Sequence, residues 1–227
     1  MNIKDYRENE LKIFVIANIL VVLCLIGTIT FDGVIEENSY MQLIITIINS
    51  GLFSSIIYAM VIVCDCMISN EIKKIIVFWW SPMPGETVFT DIKDNTKDLR
   101  FTTSDVIKAY SEIYDNIPSD KKSRRQYENS KWYKLLLKHE SENKVLVAHR
   151  DYLMCRDMST MTILMIIVYI LLSTILKLII FDKKAIIYLL VVYIVCMSAT
   201  RVKSKRFVKT VIACDLRQEK ENSKNVN

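Results

Sequence analysis

The sequence predicts an all-α membrane protein, with four transmembrane helices in two hairpins and a small, mainly helical cytoplasmic domain between the second and third spans. Three observations predict it. Apolar residues make up 52% of the 227-residue chain while 24% are charged, and that charge fraction is close to the soluble average of about 25%. The two kinds of residue must therefore occupy different stretches. Four stretches carry the apolar excess, and the first three reach the ~20 residues that a helix needs to cross a bilayer. Lys and Arg gather on one side of the scheme these stretches define. With only 4 Gly and 3 Pro, disordered, collagenous and Gly-rich dinucleotide-binding classes are excluded.

Residues 1–10 form a cytoplasmic N-terminus and 11–31 the first span, with Lys12 at its edge and Asn18 inside it. This apolar run exceeds the roughly 7–15 residues of a signal-peptide core, and Thr28-Ile29-Thr30-Phe31-Asp32 has no small-x-small cleavage pattern, so it reads as a retained span. Residues 32–40 form an external loop. The second span, 41–67, carries no charge before Asp65, and the third, 158–180, none before Lys177. An external turn, 181–184, leads to a short fourth span, 185–200, which Phe181 and the snorkelling stems of Lys183 and Lys184 lengthen. A buried core helix is the alternative for this last stretch, and a two-span arrangement stays open. A basic cytoplasmic tail, 201–227, follows. Lys and Arg number three in 1–12, none in 32–40, sixteen in 68–158 and eight in 201–227. Both termini and the middle segment therefore face the cytoplasm, with Lys183 and Lys184 opposing the rule.

The cytoplasmic domain spans 68–157. Ser69 to Trp80 continues the second span until Ser81-Pro82-Met83-Pro84-Gly85 stops it. Thr87 to Phe101 reads as a loop or short extended piece, turning at Asp94-Asn95. Thr103 or Ser104 caps a helix with an apolar stripe of Val106, Ile107, Tyr110, Ile113 and Tyr114, ending before Pro118. Ser119 or Asp120 caps another that runs to about His139 and carries Tyr127, Trp132 and Leu135 to Leu137. A last amphipathic segment from about Lys144 leads into the third span.

Catalytic and metal-binding signals are missing. Neither His139 nor His149 has a Cys or carboxylate at ligand spacing, the four glycines build no phosphate-cradling loop, and no Gly-x-Ser-x-Gly elbow occurs. Asp91, Asp94 and Asp98 read as acids of a solvated loop. None of the six cysteines lies in an external connection, so no disulfide framework is implied. The sequence thus points away from an enzyme and calls for no cofactor.

Three other groups stand out. Trp79 and Trp80 near the second span, with His149, Arg150, Arg156 and Asp157 in the turns before the third, form a candidate coupling element between domain and membrane, their plainer reading being interfacial anchoring. Asn49, Ser50, Gly51, Ser54 and Ser55 give the second span two small-x-x-x-small pairs. Asn18 can hydrogen-bond to that face, and the face serves either packing within the first hairpin or self-association into a homo-oligomer. Arg201, Lys203, Lys205, Arg206 and Lys209 suit an anionic leaflet at on the order of 1 kcal/mol each. Membrane lipid is favoured over nucleic acid because this cluster begins at the membrane edge, and no direct nucleic-acid site is identified. The tail's charge of +5 equals that of the whole protein.

Phe78-Trp79-Trp80, then Pro84-Gly85-x-x-Val88-Phe89-Thr90, Asp98-x-Arg100-Phe101, Gln126 ahead of Trp132-Tyr133-x-Leu135, and His149-Arg150-x-Tyr152-Leu153 with Arg156-Asp157 together resemble a group of small bacterial membrane proteins. These are transmembrane effectors of anti-phage systems, notably those encoded beside retron reverse transcriptases. The resemblance covers about 68–160 and the flanking spans, and its motifs are single aromatic and charged residues. It implies abortive infection at the bacterial inner membrane. A partner reverse transcriptase with its RNA–DNA hybrid would hold the protein inactive, and release would permeabilise the membrane. Such effectors are often described with two spans, whereas four are read here. A membrane-anchored adaptor or sensor without lytic action is the competing class.

Overall fold

The structure, a computed structural model, describes the backbone of residues 3–27, 40–95 and 98–225, with side chains at 9–27, 48, 49, 51, 52, 54–94, 98–219 and 221. The external loop read at 32–40 falls outside these residues apart from the backbone of Tyr40, as do 28–31 of the first span. Among the described residues there is no strand, and the helices are α1 (Ile3–Leu25), α2 (Tyr40–Met67), α3 (Asn70–Phe78), α4 (Val88–Asn95), α5 (Thr103–Ala109), α6 (Ser111–Asp115), α7 (Lys121–His139), α8 (Asn143–Ile170) and α9 (Lys183–Asn225). A 3₁₀ turn, Pro84–Glu86, precedes α4, and a π turn, Leu171–Ile175, ends α8. The chain divides into two compact units, one of Met1–Val77 with Met154–Thr200 and one of Phe78–Leu153 with Arg201–Asn227.

The long helices of the first unit each carry a stretch that is apolar on every side. Val15, Ile19 and Leu23 of α1 recur at helical spacing and are buried with Ile57 and Val61 of α2, Met161, Leu164 and Val168 of α8, and Ala185 and Leu189 of α9. The opposite faces are just as apolar yet exposed, at Ile13, Leu52, Ile56, Val63, Ile167, Ile187 and Val195. A water-soluble helix would carry charges there. Buried Ser159, Thr160 and Thr162 return their hydroxyls to carbonyls four residues back, and the Ser159 and Thr200 hydroxyls meet at 3.1 Å. Among the described residues two helices are long and apolar enough to cross a membrane, Asn143–Ile175 and Lys183–Glu219, and a third counts if the bent pair Ser54–Met67 and Asn70–Phe78 is one span.

Three features of this unit differ from the sequence reading. The second span does not continue straight past Ser69: the helix breaks at Ile68–Ser69 and α3 leaves at 103°. The helix read as the third span ends not at residue 180 but at Ile175, where the wide π turn and a left-handed Lys177 (φ 50°) stop it. The connection to α9 is then tied by Tyr169, whose hydroxyl donates to a carbonyl of this connection, Ile180 at 3.3 Å or Asp182 at 3.2 Å, and accepts from the Asp182 N–H at 2.8 Å. Lys183 and Lys184 begin α9 instead of closing an external turn. Finally, Thr200 and Arg201 are successive residues of one 43-residue helix, with no break between the stretch read as a fourth span and the stretch read as a tail.

The second unit buries a different set. Val88, Phe89 and Ile92 of α4, Phe101, Val106 and Tyr110, and Trp132 of α7 close around Phe207, Val208, Val211 and Ile212 of α9. The basic tail therefore supplies a large share of this core, and the domain is completed by 201–216 as well as by 78–153. α7 starts where the sequence places it, with the Asp120 carboxylate accepting from the Ser123 N–H at 2.9 Å. The cap of α5 is Thr102, one residue before the reading.

Residues 88–95 form a helix where the pattern predicts a loop. The cause lies on α7. Glu128, fully buried, accepts from the Phe89 N–H (2.8 Å), the Thr90 N–H (3.1 Å) and the Thr90 hydroxyl. A carboxylate there satisfies the orphan donors of the first turn and faces the positive end of the helix dipole. Gly85 lets α7 come close, since a Cβ at this position would sit 2.9 Å from Trp132 Cε3 and 3.0 Å from Asn129 Oδ1.

Replacing Glu128 with Ala leaves these donors buried without an acceptor and should destabilise the second unit by about 2–3 kcal/mol. In hydrogen exchange, the Val88–Asn95 amides should lose protection ahead of those of α7. Unchanged protection of α4 in this variant would contradict the capping role.

Candidate functional site

The sequence places its candidate coupling residues around the junction of domain and membrane, and the structure sorts them between the two units. Arg156 and Asp157 belong to the first, where they join a buried charge network that spacing alone does not reveal. Lys73 of α3 is 7% exposed. Its ammonium donates to Asp65 Oδ2 at 2.7 Å and lies 3.6 Å from Asp157 Oδ1. Arg156 Nε and Nη2 hold the same Asp157 oxygen at 3.0 and 2.9 Å, and Arg156 Nη1 reaches Asn70 Oδ1 at 3.3 Å. Two cations and two anions thus join the end of α2, α3 and α8 in one neutral network. Asp65, the first charge of the stretch read as the second span, is the acid that Lys73 folds back to meet.

Spacing hides this pair for a physical reason. Eight residues of straight helix separate two Cα atoms by about 12 Å along the axis, beyond a direct lysine–aspartate bond. The corner at Ile68–Ser69 brings them together. The Ser69 hydroxyl sits 3.4 Å from the Ile72 N–H at the start of α3, and the Tyr193 hydroxyl donates to the Ile76 carbonyl near its end at 2.6 Å.

Trp79, Trp80, His149 and Arg150 belong to the second unit. Trp79 adopts a left-handed backbone (φ 54°) just after α3, a conformation costly for a bulky residue, and the Arg201 guanidinium lies over its ring at 5.9 Å. Trp80 is 92% exposed. His149 stacks on Phe207 with centroids 4.7 Å apart, and Tyr152 stacks on the same ring at 6.0 Å. Trp132 meets its edge at 5.5 Å, while the indole N–H lies 3.4 Å from the Val208 carbonyl. Phe207, unremarked in the sequence, is the ring on which these aromatics converge. Arg150 bonds Asp151 at 2.8 Å, and Lys203 takes the other Asp151 oxygen at 2.9 Å.

The packing residues are also divided. Asn18 accepts from the Tyr188 hydroxyl at 2.8 Å and donates to the Phe14 carbonyl at 2.7 Å, so its partner is α9 and not the small-residue face of α2. Ser54 is buried, whereas Asn49, Gly51 and Ser55 are exposed, with the Ser55 hydroxyl returned to the Gly51 carbonyl at 2.8 Å. The Ser50 side chain lies outside the described residues. Of the basic group read as lipid-binding, Arg201 covers Trp79, Lys203 pairs with Asp151, Lys209 is half-buried, and Lys205 and Arg206 stand exposed.

The chain matches no protein-family model, no curated protein and no solved structure. Its own geometry therefore carries the functional reading.

A second buried acid marks the polar unit. Asp215, 1% exposed, lies in the charged part of α9 beyond the uncharged 185–200 stretch. It accepts from the Tyr110 hydroxyl (2.7 Å) and Lys138 (2.8 Å), and His139 Nε2 lies at 2.8 Å. The other ring nitrogen faces Glu142 at 2.6 Å. Burial works to raise the Asp215 carboxyl, but hydrogen bonds from Lys138, Tyr110 and His139 outweigh it and hold the group below the ordinary carboxylate range. Beside it, burial and then the Glu142 carboxylate push the Cys214 thiol up to about 11, away from the thiolate form. Among the described residues no group of three or more His, Cys, Asp or Glu is placed to hold a metal ion. What these networks do is hold helices in fixed register.

Two outcomes follow. Lys73→Met leaves Asp65 and Asp157 buried without its charge and should cost about 3–5 kcal/mol. Adding Asp65→Asn should recover a measurable part of that loss, read from chemical unfolding of the full chain in micelles. Additive losses in the double variant would rule the pair out. As for pH, the Asp215 carboxyl is depressed in the folded state. Its contribution is therefore complete above the unfolded value of about 3.9 and is lost as pH falls through the lower folded value. Unfolding of the second unit should steepen below about pH 4, and Asp215→Asn should flatten that dependence.

Proposed function

We propose that this chain is a four-span membrane effector of a bacterial anti-phage system of the retron type, acting by abortive infection at the inner membrane. In this reading the unit of Phe78–Leu153 and Arg201–Asn227 faces the cytoplasm, as do both termini. A partner there, a reverse transcriptase with its RNA–DNA hybrid, restrains the protein until phage interference releases it. The other unit then permeabilises the membrane. The observation that carries the reading is the segregation of apolar surface. Large apolar side chains stand exposed on the outer faces of all four long helices of the first unit, among them Ile13, Leu52, Ile56, Val63, Ile167, Ile187, Val191 and Val195. Patches of that extent on a soluble monomer are rare, and a lipid environment accounts for them. The resemblance at Phe78-Trp79-Trp80, Pro84-Gly85, Asp98-x-Arg100 and His149-Arg150-x-Tyr152-Leu153 supports the defence role, and the exposed face of Asn49, Gly51 and Ser55 supports self-association in the membrane.

Expression of the chain alone in a bacterial host, followed by membrane potential, dye entry and growth, tests the proposal. Depolarisation within minutes of induction, suppressed when the neighbouring genes are co-expressed, is the expected result. Gly51→Leu should abolish depolarisation while the protein still fractionates with the membrane. Sustained potential and growth at full expression would reject the lytic role and leave a membrane-anchored adaptor or sensor.

A further inference from the structure

The second unit contains a concavity of about 430 Å³ lined by Arg100, Lys144, Asp151, Lys203, Arg206 and Thr210, with Val147 and Ala148 in its wall. A second lobe of about 350 Å³ shares Arg100, Lys144 and Thr210 and extends to Phe101, Leu216 and Arg217. These volumes fall in the range of small-molecule sites, roughly 300–1,000 Å³. We propose that the concavity binds the phosphate group of a small phosphorylated molecule, with the cations on its rim and the molecule's apolar part against Val147 and Ala148.

The charge balance points to an anion. Four cations line the first lobe against one acid, and Asp151 is already held by Lys203 at 2.9 Å and by Arg150 at 2.8 Å. Arg100 is held by Asp98, which takes its Nε at 2.9 Å and Nη2 at 2.8 Å, while Nη1 donates to the Thr210 hydroxyl at 2.8 Å. These bonds fix the guanidinium plane and leave two of its five N–H donors unused among the described residues. Lys144 and Arg206 are exposed, and neither has a carboxylate at ion-pair distance among the described residues. Lys144 and Arg206 thus leave two uncompensated positive charges on one hollow, and an entering dianion removes the cost of their repulsion.

The backbone adds to the charge. Asn143 and Lys144 are the first two residues of α8, a 28-residue helix, and both line the first lobe. No acceptor among the described residues takes up their backbone N–H groups. A long helix opening its N-terminus onto an arginine fork and a lysine has the donor set that phosphate oxygens require. The second lobe brings Arg217, 3.6 Å from Glu221, and the buried ring of Phe101. The phosphate group can come from a soluble nucleotide or from a lipid headgroup, and the chemistry of recognition is the same for both. The site does not depend on the defence role proposed above.

The test uses the full chain in two settings, micelles titrated with ATP or inorganic pyrophosphate, and nanodiscs of phosphatidylcholine with or without cardiolipin. Saturable binding of ATP or pyrophosphate, weakened about tenfold by Lys144→Ala and by Arg206→Ala and unchanged by Lys134→Ala, supports the site with a soluble source. No soluble binding, with stabilisation by cardiolipin that the same two variants remove, supports it with a lipid source. Both side chains are exposed, so the variants should keep the wild-type unfolding midpoint, and Arg206→Gln serves if Arg206→Ala does not. Absence of binding in both settings overturns the proposal, as does binding that Lys144→Ala and Arg206→Ala leave intact.

Discussion

Taking an ammonium group out of water costs several kcal/mol unless opposing charges surround it, and the first unit places Lys73 where two of them do. Asp65 and Asp157 come from different helices, so the cation is satisfied only when α2 ends, α3 turns through 103° and α8 passes beside both. Arg156 then balances the second acid and reaches Asn70 at the start of α3. A single ammonium therefore ties together the end of α2, α3 and α8.

Away from that corner the unit depends on shape and small hydroxyls. Its helices are apolar outside as well as inside, so hydrophobic burial does not by itself tell one face from another. Asn18 with Tyr188, Ser159 with Thr200 and Tyr193 with the Ile76 carbonyl give the inner faces their identity. The second unit follows the opposite rule. Apolar burial selects its faces, around Phe207, Val211 and Ile212, and fully buried Glu128 and nearly buried Asp215 then tie helix to helix.

What could be read in advance follows from the range of the forces. Helix α7 was legible because its cap is local, Asp120 to Ser123, and the start of α8 near Lys144 because its apolar stripe begins there. The four apolar stretches were legible from composition. Helix α4 was not, since its capping acid lies 38 and 39 residues away on α7. Nor was the role of the basic tail. Phe207, Val208, Val211 and Ile212 form a clean helical stripe, but Arg201, Lys203, Lys205, Arg206 and Lys209 dominate the local composition and mask it. Of the candidate site, Arg156 and Asp157 were visible as a charged pair, while Lys73 and Asp65 were hidden by a bend that no spacing rule anticipates.

We propose that lipid, and not water, covers the exposed apolar faces of the first unit, and that the second unit faces the cytoplasm. Accessibility of single cysteines to a membrane-impermeant maleimide measures this most directly, starting from a chain in which the six native cysteines are replaced by serine. The account predicts that Lys183→Cys reacts in intact spheroplasts, that Lys122→Cys reacts only after lysis, and that Val195→Cys reacts in neither. Reaction of Val195→Cys as fast as Lys122→Cys in lysed cells would place that face in water and contradict the account.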